Sequence, residues 1–234
     1  MNWIIITAGG NGKRMGLSEN KIFAKIGKRP LLYWTLKVFE ESPIIDQIIM
    51  SARSEDIEKI KEILRKFLVK KVKHIVPAQE TRQKSTYYIL KTLQNVISQR
   101  DLVGVHNAVN PFVTTKEIEN VFKACKNGVA ALLAQPAIDT IKITDSQKFV
   151  HETPLREYCW CAQTPQVARF KALFDAHTKA DQERFSGTDD TQLLERIGIK
   201  AVIIPCSRLN FKITYGEDLF RARENLKFFL ENNV

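Results

Sequence analysis

The segment WIIITAGGNG, residues 3–12, joins a continuous apolar run to a cluster of glycines. An uninterrupted apolar run such as Trp3–Ala8 is typical of a strand that is buried on both faces, as in a parallel sheet. Glycines directly after such a strand let the bare backbone approach a ligand closely. We therefore predict a central first strand, followed by a loop that opens into a binding crevice.

Short apolar runs and amphipathic segments alternate along the rest of the chain. Ser54 is predicted to cap a helix, because apolar residues recur at helical spacing after it. Helices are also predicted over 82–98, from about Thr114, and after Gly216. Repeated βα units predict an α/β fold with a mostly parallel sheet flanked by helices, and ligands at the carboxyl ends of the strands. The further strands are predicted at Ile44–Ala52, HIVPA (74–78), LVGVHNA (102–108), VAALLA (Val129–Ala134) and AVIIP (201–205).

One domain over residues 1–234 is expected, since a chain of this length buries one sizeable core. Between Ile138 and Val150 the pattern changes to polar and apolar alternation, which predicts an antiparallel excursion or arm. The first apolar run is too short to span a membrane, so a cytoplasmic protein without a membrane partner is expected. The four cysteines lack paired metal-ligand spacing and are interpreted as reduced thiols.

The formal net charge of +10 raises the question of nucleic-acid binding. The basic residues are interleaved with acidic ones, as in SEDIEKIKEILRKFL (54–68), and no nucleic-acid motif accompanies them. A basic surface suited to small anionic substrates is the favoured interpretation, with no nucleic-acid partner. A nucleic-acid binder remains the alternative, and it would show strongly salt-dependent affinity.

The glycine loop fails the tests for two common phosphate-binding motifs. In a Walker loop a hydroxyl residue follows the lysine, but Arg14 follows Lys13 here. The dinucleotide fingerprint is weak, because Met15 stands where the third glycine belongs. What remains is a glycine loop followed by fixed cations, which favours a polyphosphate ligand over a simple tight turn.

Several motifs in one order then point to a family. AGGNGKRMG (8–16) and NKIF (20–23) resemble the nucleotide-binding signature of the IspD/TarI cytidylyltransferases, within the sugar- and polyol-phosphate nucleotidyltransferases. The same family carries counterparts of ETRQKST (80–86), VHNAVNPFVT (105–114), AQTPQ (162–166), SGTDD (186–190) and LNFKIT (209–214).

The resemblance implies a single Rossmann-like α/β domain with a projecting β-arm, at about 136–160, that builds a homodimer. It also implies a reaction in which CTP and a polyol phosphate are joined, pyrophosphate is released, and Mg²⁺ takes part. Methylerythritol 4-phosphate is the first choice of acceptor, and ribitol 5-phosphate is the alternative.

The resemblance also assigns roles to residues. Arg14 and Lys21 would neutralise the α-phosphate and the departing pyrophosphate, and Lys212 would complete the catalytic set from the acceptor side. The CTP phosphates and ribose would be bound by Ala8, Gly9, Gly10, Asn11 and Gly12, and the cytosine by Gln79, Glu80, Arg82 and Ser85. The acceptor would contact Asn107, Asn110, Thr140, Arg156, Thr164 and Thr188, with Thr140 and Arg156 reaching the neighbouring subunit's site.

Two positions depart from the family pattern. VHNAVNPF (105–112) resembles VHDAxRPF, but Asn107 replaces the aspartate at the metal and acceptor side, and Asn110 replaces the arginine. The metal ligand is therefore left open, and three interpretations stand: a retuned acceptor pocket, a CTP-binding homologue with impaired catalysis, or a neutral replacement of a scaffold ion pair. Asp189 and Asp190 are interpreted as acids at a helix N-terminus rather than as metal ligands.

Overall fold

The computed structural model describes residues 1–10, 19–125 and 129–233, with the backbone alone for the last two. The predicted site residues Asn11, Gly12 and Arg14 lie outside these ranges. The helices are α1 (Leu31–Glu41), α2 (Ile57–Lys66), α3 (Arg82–Thr92), α4 (Thr115–Ala124), α5 (Phe170–Gln182), α6 (Asp190–Glu195) and α7 (Gly216–Asn233). The strands are β1 (Asn2–Ala8), β2 (Lys25–Ile26), β3 (Arg29–Pro30), β4 (Gln47–Ala52), β5 (Val72–Pro77), β6 (Leu102–Asn107), β7 (Ala130–Pro136), β8 (Ile143–Thr144), β9 (Val150–Glu152), β10 (Trp160–Arg169) and β11 (Ala201–Pro205).

Seven strands form one sheet in the order β11-β7-β10-β6-β1-β4-β5. Strand β1 pairs in parallel with β4 on one side and with β6 on the other, so that Thr7 is in register with both Ser51 and Asn107. Only β10, among the strands of this sheet, runs antiparallel to its neighbours. The predicted mostly parallel α/β sheet is thus confirmed, whereas β10 was not predicted.

Helices cover both faces of the sheet, because the side chains of the central strands alternate between two cores. Ile4 and Ile6 point into the core formed with α1, α2, α4 and α7. Trp3 and Ile5 point into the core formed with α3, α5 and α6. A strand with apolar residues on both faces is stable only between two such layers, which explains the continuous apolar run at the start of the chain.

Two predicted helices begin or end elsewhere. Ser54 makes no cap hydrogen bond; residues 54–56 form a 3₁₀ turn, in which the Asp56 carboxylate binds the Arg53 guanidinium at 2.7 Å, and α2 begins only at Ile57. The helix predicted over 82–98 ends at Thr92. Beyond it, the Leu93 carbonyl accepts two turn hydrogen bonds, so the buried side chains keep a helix-like spacing without a helix.

The predicted antiparallel excursion is present as the strand pair β8–β9. It leaves the sheet after β7 and returns through β10, whose first residue, Trp160, pairs with Pro136. The four cysteines are free thiols, as expected. Across residues 1–10, 19–125 and 129–233, no helix is long and apolar enough to cross a bilayer.

Candidate active site

A cleft of about 300 Å³ lies at the carboxyl end of β6, beside the irregular part of β10. Strand β10 changes register between Ala162 and Gln166, and such irregularities commonly re-aim side chains next to active sites. The cleft brings together five residues that the sequence assigned to substrates: Arg82, Asn107, Thr164, Thr188 and Lys212. The carboxyl end of β1 lies next to that of β6, so Gly9 and Gly10, which follow β1, lie at the same edge of the sheet.

Gly9 follows β1 at a point where the backbone passes very close to the loop after β5. A Cβ atom built on Gly9 would lie 2.4 Å from the Cβ atom of Ala78. Real Cβ atoms do not approach so closely, so a side chain at position 9 would displace one of the two loops. Gly10 has no such neighbour among the described atoms. The glycine at position 9 is therefore required by packing.

Lys21 lies in a short 3₁₀ turn whose first residue is fixed by a buried amide. The side chain of Asn20 accepts a hydrogen bond from the Ile22 amide and donates to the Ala8 carbonyl at 3.2 Å and to the Asp56 carboxylate at 2.8 Å. Lys21 is 7% exposed, and its ammonium group donates to the Ile213 carbonyl at 2.9 Å. This lysine is thereby held between the end of β1 and the segment that carries Lys212.

The guanidinium group of Arg82 is held by two partners. Its Nε atom donates to the Asn107 side-chain oxygen at 3.1 Å, and its Nη2 atom forms an ion pair of 2.7 Å with Asp190. Burial alone would raise the pKa of Asp190, but the charge of Arg82 and the hydrogen bond from His177 outweigh it and hold this pKa below its usual range. Arg82, assigned to the base from sequence, thus contacts residues of the acceptor side.

Asn107 and Asn110 belong to a neutral amide network. The Asn107 amide donates to the Asn110 side-chain oxygen at 3.1 Å. Asn110 is fully buried, and its own amide reaches the side-chain oxygens of Gln163 and Asn210, at 3.4 Å each. Asn210 in turn donates to the Thr164 carbonyl at 3.0 Å. Apart from the bond that Asn107 accepts from Arg82, these side chains pair with neutral partners, and such pairing lowers the cost of burying polar groups.

The residues predicted around the base form a compact loop at the start of α3. Ser85 is buried; its hydroxyl accepts from the Gln79 amide at 2.9 Å and donates to the Thr81 carbonyl at 2.8 Å. Glu80 forms an exposed ion pair with Lys84. The serine therefore shapes the loop through backbone contacts, while Glu80 faces solvent.

Two predicted acceptor residues lie away from this cleft. Thr140 and Arg156 belong to the exposed arm, where the Arg156 guanidinium donates to the Ile138 carbonyl at 2.7 Å. Neither lines the cleft of its own chain. This separation agrees with the expectation that the arm serves another subunit's site, which stays a prediction.

Sequence reasoning missed several polar residues that support the cleft. Gln163 and Asn210 lie within the motifs AQTPQ and LNFKIT but were given no role. Gln166 accepts from the backbone amides of Asp190 and Thr191 and donates to the Asp189 carboxylate. The only sequence signal was their place in motifs shared with a family, because long-range hydrogen bonds leave no local pattern.

His106 is buried at the end of β6, where its Nε2 atom hydrogen-bonds to the Asn110 carbonyl at 2.9 Å. Burial lowers the pKa of this histidine to about 4. The imidazole is thus neutral near pH 7, and it serves to position the Asn107–Asn110 turn.

The oxygen atoms that could hold Mg²⁺ are largely engaged. The Asn107 side-chain oxygen accepts from Arg82, and Asp190 is paired with the same arginine. Asp189 caps α6, as predicted for a helix N-terminal acid, and its second oxygen accepts from Gln166. No group of three potential His, Cys, Asp or Glu ligands occurs in the part of the chain that the structure describes. These residues fit a magnesium ion held mainly by substrate phosphates, as is common for this ion, rather than a cage built by the protein.

Residues 2–228 match the model of a family described as 2-C-methyl-D-erythritol 4-phosphate cytidylyltransferase, IspD. A protein of this name from Halalkalibacterium halodurans is 38% identical over 219 residues, which cover 94% of each chain. Another, from Clostridium tetani, is 36% identical over 233 residues, covering 100% of this chain and 92% of the relative.

Solved structures agree with these relatives. The crystal structure of 4-diphosphocytidyl-2C-methyl-D-erythritol synthase from Anaerococcus prevotii has a TM-score of 0.85 at 31% identity, covering 97% of this chain and 96% of that one. The 2-C-methyl-D-erythritol 4-phosphate cytidylyltransferase from Francisella tularensis has a TM-score of 0.78 at 28% identity, covering 96% of this chain and 99% of that one.

The close approach of Gly9 to Ala78 predicts that a substitution at position 78 can restore CTP affinity lost by a substitution at position 9. Gly9→Ala should raise the dissociation constant for CTP at least tenfold, because the added methyl group displaces the glycine loop. Ala78→Gly should have little effect alone, and it should restore most of the affinity in the Gly9→Ala background because it removes the atom that clashes. Calorimetric titration of the four proteins with CTP measures this coupling. A double variant as weak as Gly9→Ala would show that the contact does not control the loop.

Proposed function

Because this chain belongs to the 2-C-methyl-D-erythritol 4-phosphate cytidylyltransferase family, IspD, we propose that it transfers CMP from CTP to methylerythritol 4-phosphate and releases pyrophosphate. The observation that carries the proposal is the family match over nearly the whole chain. It is supported by the cleft at the carboxyl end of β6, which gathers cationic and polar side chains where parallel α/β sheets bind ligands.

The proposed reaction is an in-line displacement at phosphorus. A phosphate oxygen of the acceptor forms a bond to the α-phosphorus of CTP, while the bond from that phosphorus to the bridging oxygen of the β-phosphate breaks. Pyrophosphate leaves with the bonding electron pair, and no proton needs to move. Catalysis of such a step depends on positioning and on stabilising negative charge.

The cations of the site suit these two demands. Lys21 is nearly buried and held in place by a backbone carbonyl, so its charge is little screened by water and acts strongly on an approaching phosphate. We assign it to the α-phosphate, together with Arg14. Lys212 lines the cleft beside Thr164 and Thr188, and we assign these three residues to the acceptor.

Magnesium is proposed to arrive with the triphosphate. When bound, it would neutralise phosphate charge and thereby favour attack on the α-phosphorus. In this proposal Asn107 offers at most one neutral amide oxygen, so the chain's own part is to supply cations and hydrogen-bond donors around the nucleotide. The carboxylates of Asp189 and Asp190 remain engaged in positioning the cleft.

We also propose that the arm forms a homodimer. It exposes large apolar side chains, which monomeric proteins rarely cluster at the surface. A two-stranded hairpin such as β8–β9 is marginal alone and gains stability from a partner. Dimerisation would bring Thr140 and Arg156 to the other subunit's cleft. The exposed apolar residues of the arm are Ile138, Ile141, Ile143, Phe149, Val150, Leu155 and Tyr158.

The direct test is an acceptor panel. The purified chain is incubated with CTP, Mg²⁺ and either methylerythritol 4-phosphate, ribitol 5-phosphate or erythritol phosphate, and pyrophosphate and the CDP-polyol product are measured. Turnover fastest with methylerythritol 4-phosphate supports the proposal. Faster turnover with ribitol 5-phosphate would support the alternative acceptor. Tight CTP binding without turnover on any acceptor would identify a homologue with impaired catalysis.

Replacing Lys21 tests the electrostatic assignment. Lys21→Ala should lower kcat at least about a hundredfold, the scale for losing one preorganised electrostatic group, while CTP still binds. Steady-state kinetics and CTP titration provide the measurement. Lys25→Ala, which removes an exposed lysine from the following strand, is the matched control and should leave kcat unchanged. Near wild-type turnover in Lys21→Ala would exclude the assigned role.

Charged substitutions in the arm test the proposed dimer. Phe149 and Leu155 are 69% and 66% exposed, so Phe149→Asp and Leu155→Asp should fold normally. If the arm pairs with a second copy, each should shift the protein towards monomer and lower kcat/KM at least about tenfold, because buried unpaired carboxylates disrupt an apolar interface. Analytical ultracentrifugation and kinetics measure both effects. Phe220→Asp, on the exposed face of α7, is the control; a monomeric wild type would refute the proposal.

The neutral amide pair predicts a coupled gain of function. Asn110→Arg alone buries an unpaired charge among amides. In the double variant Asn107→Asp/Asn110→Arg the two new side chains form an ion pair. The change in kcat/KM of the double variant should therefore exceed the product of the changes in the two single variants. If catalysis is impaired, kcat/KM on methylerythritol 4-phosphate should rise in the double variant. A fall on the preferred acceptor would instead indicate a retuned pocket. If the effects of the two substitutions on kcat/KM are additive and the same for every acceptor, the two asparagines serve only to maintain the structure.

A further inference from the structure

Asp190 is a buried carboxylate that does not supply the cap of its own helix. It is 2% exposed, at the first position of α6. The cap of that helix is supplied by Asp189, whose carboxylate accepts from the Gln192 amide at 2.8 Å. Burying a charge is costly unless it is well paired, so the side chain of Asp190 needs another explanation.

The surroundings of Asp190 fix it in one place. Its carboxylate accepts from the Nε2 atom of the buried His177 at 3.1 Å, and its backbone amide donates to Gln166 at 2.9 Å. The remaining partner of the carboxylate is Arg82, which lines the cleft and reaches Asn107 with its other end. Asp190 therefore connects the buried His177, through Arg82, to Asn107 inside the cleft.

Resting on the proposed function, we propose that Asp190 is a positioning residue that sets the orientation of the Arg82 guanidinium, and through it of the Asn107 amide, for CTP binding and transfer. Arginine has a long, flexible stem, and a phosphate nearby would attract its charge. A buried anion at Nη2 and an amide oxygen at Nε hold the planar guanidinium at two points. The arginine then meets its substrate already oriented, with less conformational freedom to lose.

A second contact joins the same two segments. Gln83, next to Arg82, donates its amide to the Phe185 carbonyl and accepts from the Gly187 amide, at 2.9 Å each. The start of α3 is thus tied at adjacent residues to the segment that leads from 185 to Asp190. These two hydrogen bonds hold the backbone beside Arg82 against the segment that leads to Asp190, so the ion pair acts between two segments that are already joined.

A double-mutant cycle tests whether Asp190 acts through Arg82. Asp190→Asn, Arg82→Gln and the double variant are compared with the wild type by CTP titration and by kcat/KM. Asp190→Asn should raise the CTP dissociation constant and lower kcat/KM at least about tenfold each. In the Arg82→Gln background the same change should alter both quantities less than about twofold, because the arginine it orients is gone.

Two further variants distinguish a loss of Arg82 orientation from a loss of protein stability. Asp101→Asn removes another buried carboxylate, at the amino end of β6, and should reduce stability while CTP affinity stays within about twofold. Should Asp190→Asn not fold, Arg82→Lys provides the test: it keeps the charge but cannot span Asp190 and Asn107, and we expect the same tenfold losses.

Three results would overturn the inference: wild-type behaviour of Asp190→Asn, an equal effect of this change with and without Arg82, or wild-type behaviour of Arg82→Lys. If the wild type binds CTP but turns over no acceptor, the proposed function fails instead. The cycle in CTP affinity then still decides the role of Asp190, because it does not depend on turnover.

Discussion

The central constraint on the structure is strand β1, which is buried on both faces and hydrogen-bonded to a strand on each side. Its pairing with β6 sets Thr7 beside Asn107, and its pairing with β4 sets Ala8 beside Ala52. The chain must therefore leave the sheet at Gly9, directly against the loop after β5. The end of β1 therefore lies at the same edge of the sheet as the loop after β5 and the end of β6.

Charge in the cleft is arranged to receive anions. The lining residues Arg82 and Lys212 carry positive charge, and the two nearby aspartates are engaged by a helix N-terminus, by Gln166 and by Arg82 itself. A buried carboxylate that holds a cation stabilises its orientation, and the amide network behind Asn107 adds hydrogen bonds without adding charge. Such a site suits two anionic substrates whose reaction needs positioning and charge neutralisation more than proton transfer.

The arm places different physical demands on the chain. Its strand pair is short and its large apolar side chains face solvent, and these two features are the basis for proposing that a second copy of the chain covers it. The cleft, in contrast, is assembled from segments packed on the two cores. In the proposed dimer the arm of one subunit would reach the cleft of the other and complete it with its own residues.

The sequence by itself determined the α/β class, the early strands and the glycine loop, because burial on both faces and tight backbone approach leave local signals in residue type and spacing. Ordered motifs also indicated Lys21, Arg82, Asn107 and Lys212 as site residues, through resemblance to a family. Only the tertiary structure decided that Arg82 lies between Asn107 and Asp190, and that β10 runs antiparallel through the sheet. These features depend on hydrogen bonds and ion pairs between residues far apart in the chain, for which no local spacing exists.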